Sequence, residues 1–366
     1  MKRKIRVGIL FGGRSAEHEV SLRSAKNVIE AIDKQKYEVI LIGIDKEGRW
    51  NYIDDSVYFQ LFENAESPAL PEFTDSMSVM PYRGKQEFLI LPDGRSIGTI
   101  DVVFPVLHGT FGEDGTIQGL LKLAGLPFVG SDVLGTAAAM DKDVMKRLFR
   151  DAAVPIPAFL VYDWTKKDAI EFTEAERTLG MPLFIKPANL GSSVGITKVK
   201  GKEDFKDAVH EAFQYDSKII IEEFIEGREI ECSVLGNENP IASVPGEIKP
   251  RHEFYSYDAK YVDKEGALLE IPAKIPPEQT KRVQELTVKA FKVLCCEGLA
   301  RVDFFIKDNG EVLVNEINTI PGFTEISMYP KLWAASGIPQ TDLIDKLIGL
   351  AFDRIQREKK LKRSYF

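Results

Sequence analysis

Short apolar runs alternate with amphipathic stretches along the first third of the chain. Residues 7–11, 39–44 and 101–107 are mostly apolar, which is typical of strands buried on both faces of a parallel sheet. Between and after them, residues 22–32 and 117–124 place apolar side chains every three or four positions, the spacing of a helix that covers a core. The succession of strand, helix and strand predicts an α/β domain with a doubly wound parallel sheet.

The remaining pattern predicts two further α/β domains. A helix and several β-rich runs around a glycine-serine loop indicate a smaller middle domain, and longer strands and helices follow it. We expect the three domains to span residues 1–130, 131–225 and 226–366. Residues 45–100 show no regular period and receive no firm assignment. Residues 248–266 predict a long loop, and loops of that length in compact domains are often functional.

The most informative local pattern is a β-hairpin in the last third of the chain. An Asn-Gly pair at 309–310 lies between two β-rich runs, which is the strongest short-range signal for a hairpin with a two-residue turn. Counting outward from that turn places Asp303 opposite Glu316 and Arg301 opposite Asn318. All four side chains then lie on one face of the ribbon, because side chains alternate with a period of two.

The opposed carboxylates need a cation between them. Directly opposed side chains are about 5 Å apart, and a like-charge pair at that distance destabilises a sheet. Magnesium is often held by one or two carboxylates together with substrate phosphates, and the amide oxygen of Asn318 suits such a set. A solvated acidic pair is the alternative. The register, which also pairs Asp308 with Glu311 and Phe305 with Val314, depends on the length of the turn.

A second candidate feature would bind phosphate. Lys186 ends one β-rich run, and a loop of small residues that includes Ser192 and Ser193 leads to the next. Glycine lets backbone amides approach an anion closely, serine adds hydroxyl donors and lysine adds a point charge. A plain hairpin turn is the alternative, but the carboxylate pair downstream favours a loop that covers phosphates. Lys142, near a helix start, is either a second phosphate contact or a surface lysine.

Composition limits the class of partner. The 366 residues include 48 Lys and Arg against 56 Asp and Glu, and the net charge of −8 disfavours nucleic acid or an anionic membrane as a partner. No apolar run approaches about 18 residues, so no segment is predicted to cross a membrane. The 3 cysteines include no Cys-x-x-Cys pair, which suits neither a disulfide framework nor a zinc site and indicates a reducing cytoplasm.

Seven short segments, spread along most of the chain, carry a family resemblance. They are FGGRSAEHEVS at 11–21, HGTFGEDG at 108–115, MDK at 140–142, KPANLGSSVG at 186–195, YDAKY at 257–261, RVD at 301–303 and NEINTIPGFT at 315–324. In this order they resemble the D-alanine:D-alanine ligase family, which has the ATP-grasp fold. Seven ordered motifs are far more specific than any one of them.

The resemblance implies an ADP-forming ligase of peptidoglycan precursor synthesis. ATP would phosphorylate the carboxylate of one D-alanine, and the amine of a second would attack the acyl phosphate through a tetrahedral intermediate. Arg301 and the backbone amide of Gly322 would stabilise the oxyanion, a charge that exists only on the reaction path. His108 would lie beside the first D-alanine.

The resemblance also implies the residues of the amino acid sites. They would be Glu17, His108, Ser192, Lys260, Tyr261, Arg301, Gly322 and Ser327. Glu17 would bind the ammonium group of the first D-alanine and would form a hydrogen-bonded triad with Ser192 and Tyr261, which closes the long loop over the site. Lys260 and Ser327 would receive the carboxylate of the second D-alanine.

ATP and two magnesium ions would bind between the second and third domains. The ATP-binding residues would be Lys142, Lys186, Ser192, Ser193, Glu222, Glu223, Ile225, Glu229 and Lys260. Asp303, Glu316 and Asn318 would hold the ions, for which manganese would be a substitute. The resemblance further implies a homodimer.

Three other functions are alternatives. An ATP-grasp kinase is one, but it would leave the N-terminal motif around Glu17 unexplained. A depsipeptide ligase that joins D-alanine to D-lactate is the nearest, although such relatives generally lack the Lys-Tyr pair found at 260–261. A non-catalytic nucleotide-binding protein would need neither the substrate anchor Glu17 nor the oxyanion residue Arg301.

Overall fold

The structure is a computed structural model that describes residues 3–63, 68–71, 76–79, 89–90, 96–192, 194–250 and 267–362. The strands are β1 Ile5–Gly12, β2 Tyr37–Ile44, β3 Trp50–Ile53, β4 Ser78–Val79, β5 Leu89–Ile90, β6 Val102–Val106, β7 Phe159–Asp163, β8 Leu183–Pro187, β9 Thr197–Val199, β10 Lys218–Glu223, β11 Arg228–Gly236, β12 Ile241–Ala242, β13 Gly246–Pro250, β14 Ala267–Glu270, β15 Gly298–Ile306 and β16 Val312–Asn318. The α-helices are α1 His18–Ala31, α2 Asp55–Tyr58, α3 Thr116–Leu123, α4 Val133–Met140, α5 Lys142–Asp151, α6 Phe172–Leu179, α7 Lys202–Tyr215, α8 Pro277–Val293, α9 Met328–Ala335 and α10 Gln340–Glu358.

The N-terminal sheet has the strand order β3-β2-β1-β6. Strand β1 pairs in parallel with both β2 and β6, whereas β3 lies antiparallel at the edge. The central strand β1 is buried from Val7 to Gly12, as expected for an apolar run covered on both faces. The predicted parallel strand-helix-strand arrangement is therefore confirmed, with one antiparallel edge strand that the sequence pattern did not indicate.

The other two large sheets are antiparallel and hold most of the candidate site. The central sheet has the order β7-β10-β8-β9. The C-terminal sheet has the order β14-β13-β11-β15-β16, with β12 beside β11. Strands β10 and β11 follow each other directly along the chain, so a short connection joins the two sheets.

The cores show how the sheets are fixed. Helices α9 and α10, from the end of the chain, pack in the same core as β1 and β6 of the N-terminal sheet. Helices α4 and α5 pack in the core of the C-terminal sheet. The central sheet has a core of its own with α6 and α7. The N- and C-terminal sheets are thus joined through shared helices, while the central sheet is packed mainly on itself.

Two local predictions were wrong. Residues 248–250 of the predicted long loop belong to β13, because they pair with β14 and β11, and residues 251–266 lie outside the described residues. The strand predicted at 194–199 begins only at Thr197, because Val194 and Gly195 form a turn in which Gly195 has a φ of 68°. In the described ranges, no helix has both the length and the apolar character that a membrane crossing requires.

Candidate active site

The C-terminal hairpin brings the predicted acidic and amide side chains together. Strands β15 and β16 place Asp303 opposite Glu316 and Arg301 opposite Asn318, which confirms the two predicted pairings. The exposed fractions alternate along β15, so that Arg301 and Asp303 face the cleft while Val302 faces the core. The geometry predicted for this face of the ribbon is therefore present.

The turn length from which these pairings were predicted was wrong. Lys307 rather than Asp308 pairs with Glu311, because its N–H donates to the Glu311 carbonyl at 3.0 Å. The turn therefore has three residues, and Gly310 takes the positive φ of 87° that such a turn needs. In consequence Phe304, not Phe305, lies opposite Val314.

A β-bulge in β16 compensates for the longer turn. The register shifts between Asp303 and Phe304, where Asn315 is one extra residue on β16. Bulges re-aim side chains, and here both Asn315 and Glu316 line the larger cavity of the cleft. The extra residue restores the register that a two-residue turn would have produced.

Arg301 holds the carboxylate of Asp303 with two parallel hydrogen bonds. Its Nε and Nη2 each lie 2.7 Å from an Asp303 oxygen, and Nε is also 2.9 Å from Oε2 of Glu231. Glu231 lies directly opposite Asp303 on β11, so three carboxylates form a row across adjacent strands with Glu316 at the other end. Glu231 was not among the predicted residues, although its spacing of two from Glu229 on a strand was a usable signal.

Asp303, Glu316 and Asn318 fit a magnesium site by the chemistry of their donors. The two carboxylates are opposed across the ribbon, and the Asn318 amide donates to Oδ2 of Asp303 at 3.1 Å. In the part of the chain that the structure describes, no group of three or more His, Cys, Asp or Glu side chains could hold a metal ion. The predicted set contains only two side chains of these types, Asp303 and Glu316, together with the amide of Asn318. Two carboxylates are enough for magnesium, because it keeps several waters and binds phosphates as well.

A cavity of about 510 Å³ lies between the central and C-terminal sheets. Its volume is in the range of pockets that bind small molecules and cofactors. It is lined by the predicted ATP-binding and metal-binding residues Lys142, Lys186, Ser192, Glu222, Glu223, Ile225, Glu229, Asp303 and Glu316. The structure thus brings together residues that are widely separated in the sequence.

A buried ion triad forms part of this cavity wall. Lys146 and Lys186 each contact one carboxylate oxygen of Glu222. Burial alone would raise the pKa of Glu222, but the two ammonium groups outweigh it and lower the pKa to about 2. Lys146 was not among the predicted residues, although it lies on the same buried face of α5 as Lys142 and Phe149.

Lys142 lies between the glycine-serine loop and the carboxylate pair. Its Nζ donates to the Leu190 carbonyl and is 4.0 Å from Oε2 of Glu316. Helix α5 begins at this lysine because Asp141 caps it and accepts the N–H of Val144 at 3.0 Å. The cap therefore fixes a cation at a position suited to a phosphate group.

The predicted adenosine contacts lie where β10 leads into β11. The backbone N–H of Glu223 donates to the Ala158 carbonyl at 3.1 Å, and its carboxylate accepts the Ala158 N–H at 2.7 Å. Glu223 therefore ties the connection between the sheets to the segment before β7. Ile225 is buried, and Glu229 lies opposite Phe305 on the cleft face of β11.

A smaller cavity of about 70 Å³ adjoins the first. Its lining includes the predicted residues Glu17, His108, Ser192, Arg301, Asn318, Gly322 and Ser327. The two cavities have Gly191, Ser192, Glu231, Ile248 and Glu316 in common. A nucleotide-sized space and a space for a small substrate therefore share one wall.

Glu17 meets the glycine-serine loop in the smaller cavity. Its carboxylate accepts a hydrogen bond from the Ser192 hydroxyl, which is one side of the predicted triad. A Cβ at Gly109, where φ is +70°, would lie 2.5 Å from Oε2 of Glu17, so this close approach requires glycine. The remaining predicted residues Tyr261, Lys260 and Ser193 lie outside the described residues.

The other predicted residues of this cavity surround the loop after β16. His108 is buried, its Nδ1 lies 2.9 Å from the Ile320 carbonyl, and burial lowers its pKa. Ser327 precedes α9 and accepts the N–H of Thr324 at 2.9 Å. A Cβ on Gly322 would lie 2.8 Å from the Ser327 hydroxyl, so a side chain there would force that hydroxyl to move.

The paired sheets, the lysine-lined cavity and the carboxylate pair define an enzyme of the ATP-grasp class. Residues 6–131 match the family described as D-ala D-ala ligase N-terminus, and residues 148–349 match D-ala D-ala ligase C-terminus. The chain therefore belongs to the D-Ala-D-Ala ligase family.

Relatives match over nearly the whole length. The D-alanine–D-alanine ligase of Oceanobacillus iheyensis is 52% identical over 100% of this chain and 99% of its own. D-alanine–D-alanine ligase A of Escherichia coli K12 is 51% identical over 98% of this chain and 99% of its own. Among solved structures, the Coxiella burnetii D-alanine-D-alanine ligase has a TM-score of 0.85 at 40% identity, with 98% and 96% covered. The Enterococcus faecalis VanG D-Ala:D-Ser ligase has a TM-score of 0.83 at 39% identity, and the match covers 95% of this chain and 100% of that one.

Proposed function

We propose that this chain is an ADP-forming ligase that joins two D-alanines into D-alanyl-D-alanine for peptidoglycan precursors. The proposal is carried by the shared wall between a cavity of about 510 Å³ and one of about 70 Å³. Lys142 and Lys186 line the larger cavity, and Glu17 lines the smaller. ATP in one and an amino acid in the other would bring a γ-phosphate against a carboxylate. Relatives named D-alanine–D-alanine ligase support the same activity.

In the first step, a carboxylate oxygen of the first D-alanine attacks the γ-phosphorus of ATP, and the bond to the leaving ADP oxygen breaks. Lys142 and Lys186 bind the phosphates. Glu222 and the backbone around Glu223 and Ile225 face the adenine, and Glu229 faces the ribose. Glu17 orients the first D-alanine by binding the ammonium group of that substrate. The chemistry rests on position and charge, as is usual for phosphoryl transfer.

In the second step, the amine of the second D-alanine attacks the acyl carbon, and phosphate leaves from the tetrahedral intermediate. Arg301 and the N–H of Gly322 stabilise the oxyanion. Lys260 and Ser327 bind the carboxylate of the second D-alanine, and His108 lies beside the first. Closure of the loops by the Ser192 and Tyr261 hydroxyls, with Ser193 over the phosphates, keeps water from the acyl phosphate.

Asp303, Glu316 and Asn318 would hold two magnesium ions, or manganese in their place. Bound ions would offset the negative charge of the phosphates. Asp303→Asn and Glu316→Gln should each lower magnesium-dependent ADP release by about 100-fold or more, because each removes one charge from the ligand set. Near-normal turnover in both variants would exclude these residues as the metal ligands.

The decisive assay measures ADP release and the dipeptide product by mass spectrometry. D-alanine should stimulate ADP release, whereas L-alanine should not, and equal stimulation by both would refute the stereochemical claim. D-lactate added to D-alanine should give no depsipeptide, which separates this function from the depsipeptide alternative. A non-catalytic nucleotide-binding protein would release no ADP in the presence of D-alanine, L-alanine or D-lactate.

The proposal extends to organisation and location. We propose three domains at residues 1–130, 131–225 and 226–366, and a homodimer as in the family that the sequence resembles. A cytoplasmic location suits an enzyme that consumes ATP and has free thiols at Cys232, Cys295 and Cys296. Light scattering coupled to gel filtration measures the oligomeric state directly.

A further inference from the structure

We propose that Ser24 and Glu113 are positioning residues which, together with His108, hold the loop that presents the Gly322 amide to the oxyanion. The inference rests on the proposed function, because it concerns the geometry of the same reaction. Neither Ser24 nor Glu113 belongs to the phosphate, metal or amino acid contacts described above. Both come from the N-terminal domain, whereas the Gly322 loop follows β16 of the C-terminal sheet.

The hydrogen bonds of the loop lie on both sides of Gly322. On one side, the N–H of Ile320 donates to Oε1 of Glu113 at 2.7 Å, and its carbonyl is 2.9 Å from Nδ1 of His108. On the other side, the N–H of Phe323 donates to the Ser24 hydroxyl at 3.1 Å. The backbone of Gly322 is therefore held between two fixed neighbours.

The donors and acceptors form one consistent chain. Nδ1 of His108 must carry its proton, since a carbonyl such as that of Ile320 can only accept. Nε2 of the neutral ring then accepts from the Ser24 hydroxyl at 3.0 Å, and that hydroxyl accepts from Phe323. Burial of His108, which lowers its pKa, favours the neutral ring that this order requires.

Glu113 connects the loop to the substrate anchor. Its second oxygen accepts the N–H of Gly109 at 3.0 Å, and Gly109 is the residue that closely approaches Glu17. Glu113 also lines the smaller cavity with Glu17. The same carboxyl group therefore sets the position of the oxyanion loop relative to the amino group of the first substrate.

Misplacement of an oxyanion donor affects catalysis more than substrate binding. A shift of about 1 Å in a reacting group can cost about 100-fold in rate, and the donor acts on a charge that the ground state lacks. Loss of Ser24 or Glu113 should therefore lower kcat and leave the KM for ATP almost unchanged. If Ser24 and Glu113 had a purely structural role, replacing a comparable polar residue elsewhere in the domain should lower kcat by the same factor.

The chain offers a matched control for each variant. Ser21 lies one turn before Ser24 on α1 and is equally buried, but its hydroxyl binds Gly12 and Val106 rather than the loop. Asp114 follows Glu113, and its carboxylate binds only local groups of Phe111 and Thr116 among the described contacts. Ser24→Ala is thus compared with Ser21→Ala, and Glu113→Gln with Asp114→Asn.

The experiment measures kcat, the KM for ATP, the affinity for ADP and the affinity for a dipeptide phosphinate. The tetrahedral phosphorus of that probe imitates the intermediate. Ser24→Ala and Glu113→Gln should lower kcat and phosphinate affinity by about 10- to 100-fold relative to their controls, with ADP affinity changed less than about twofold.

Three outcomes would overturn the positioning role. They are variants equal to their controls in kcat, an unchanged phosphinate affinity, and a parallel loss of ADP affinity that indicates general loosening of the fold. Thermal unfolding of all four variants checks that each is folded. If the wild-type protein forms no D-alanyl-D-alanine, the proposed function itself fails, which is a separate result from equal rates in variants and controls.

Discussion

Among single residues, Gly109 shows most directly how the substrate cavity depends on close backbone approach. Gly109→Ala would place a Cβ 2.5 Å from the Glu17 carboxylate, so we expect the KM for D-alanine to rise about tenfold or more. The positive φ should also cost about 1–2 kcal/mol of stability. Gly337→Ala is the control, because Gly337 has a φ of +86° but no neighbour within 4 Å of an added Cβ. Equal KM values in the two variants would contradict the prediction.

Glu113 should make the unfolding free energy depend on pH. Burial and the nearby Glu17 carboxylate raise the pKa of Glu113 from 4.5 to about 8. Between these values the folded protein keeps a proton that the unfolded chain releases, so this group's contribution to stability falls as pH rises from about 4.5 to about 8.

Urea unfolding of wild type and Glu113→Gln across that pH range tests this. The wild type should lose its stability advantage over the variant as pH rises, and the difference should level off above about pH 8. A difference that stays constant would contradict the raised pKa. The lowered pKa of His108 affects both proteins, so it does not disturb the comparison.

At the scale of elements, the ion triad that joins α5 to β8 and β10 should contribute strongly to stability. Lys146→Met would leave the buried Glu222 carboxylate with Lys186 alone, and breaking such a buried group typically costs about 3–5 kcal/mol. Adding Glu222→Gln should recover part of that loss, since the stranded charge is then removed. Chemical denaturation measures both effects.

Arg147→Met is the matched control for this prediction. Arg147 is the next residue on α5 and pairs with Asp143, but its side chain is 55% exposed. An exposed pair contributes little, so this variant should unfold close to the wild type. A stability loss as large as that of Lys146→Met would show that the helix, rather than the buried triad, is sensitive.

The hairpin shows what the sequence could and could not predict about an element. An Asn-Gly pair suits turns of two or three residues, so the pattern alone does not decide the turn length. The bulge at Asn315 leaves no periodic signal, because one extra residue is not visible within a short apolar run. The pairing of Asp303 with Glu316 was correct only because the two errors offset each other.

The predicted strands and helices with strong periods are present, whereas weaker elements were missed. The last residues of strand β13, 248–250, were assigned to a loop because residues 248–266 show no regular period. Glu113, Lys146 and Glu231 were missed for a different reason. Each is a charged residue whose partners are distant in sequence, so only the folded chain shows what it contacts.

At the scale of the whole molecule, a hydrogen bond between described residues joins the separately packed central sheet to the N-terminal domain. Ser192 follows β8, and its hydroxyl reaches Glu17 ahead of α1. Ser192→Ala should raise the KM for D-alanine about tenfold, as expected for loss of a hydrogen bond to a charged group. It should also raise the ratio of ADP released to dipeptide formed, because water reaches the acyl phosphate.

That ratio is measured by following ADP and dipeptide in the same reaction. In the wild type we expect one ADP for each dipeptide. A variant that keeps this ratio, even with a higher KM, would show that the bond between Ser192 and Glu17 does not exclude water.

The common wall of the two cavities has a consequence for inhibition. A compound with an adenine-like fragment and a carboxylate-bearing fragment on a short tether would fill both spaces at once. Once the first fragment is seated, the second meets its site at a high effective concentration, so the tethered compound should bind far more tightly than either half. We expect resistance through changes of Glu316 or Ser192 to be hard to acquire, because each of these residues lines both cavities.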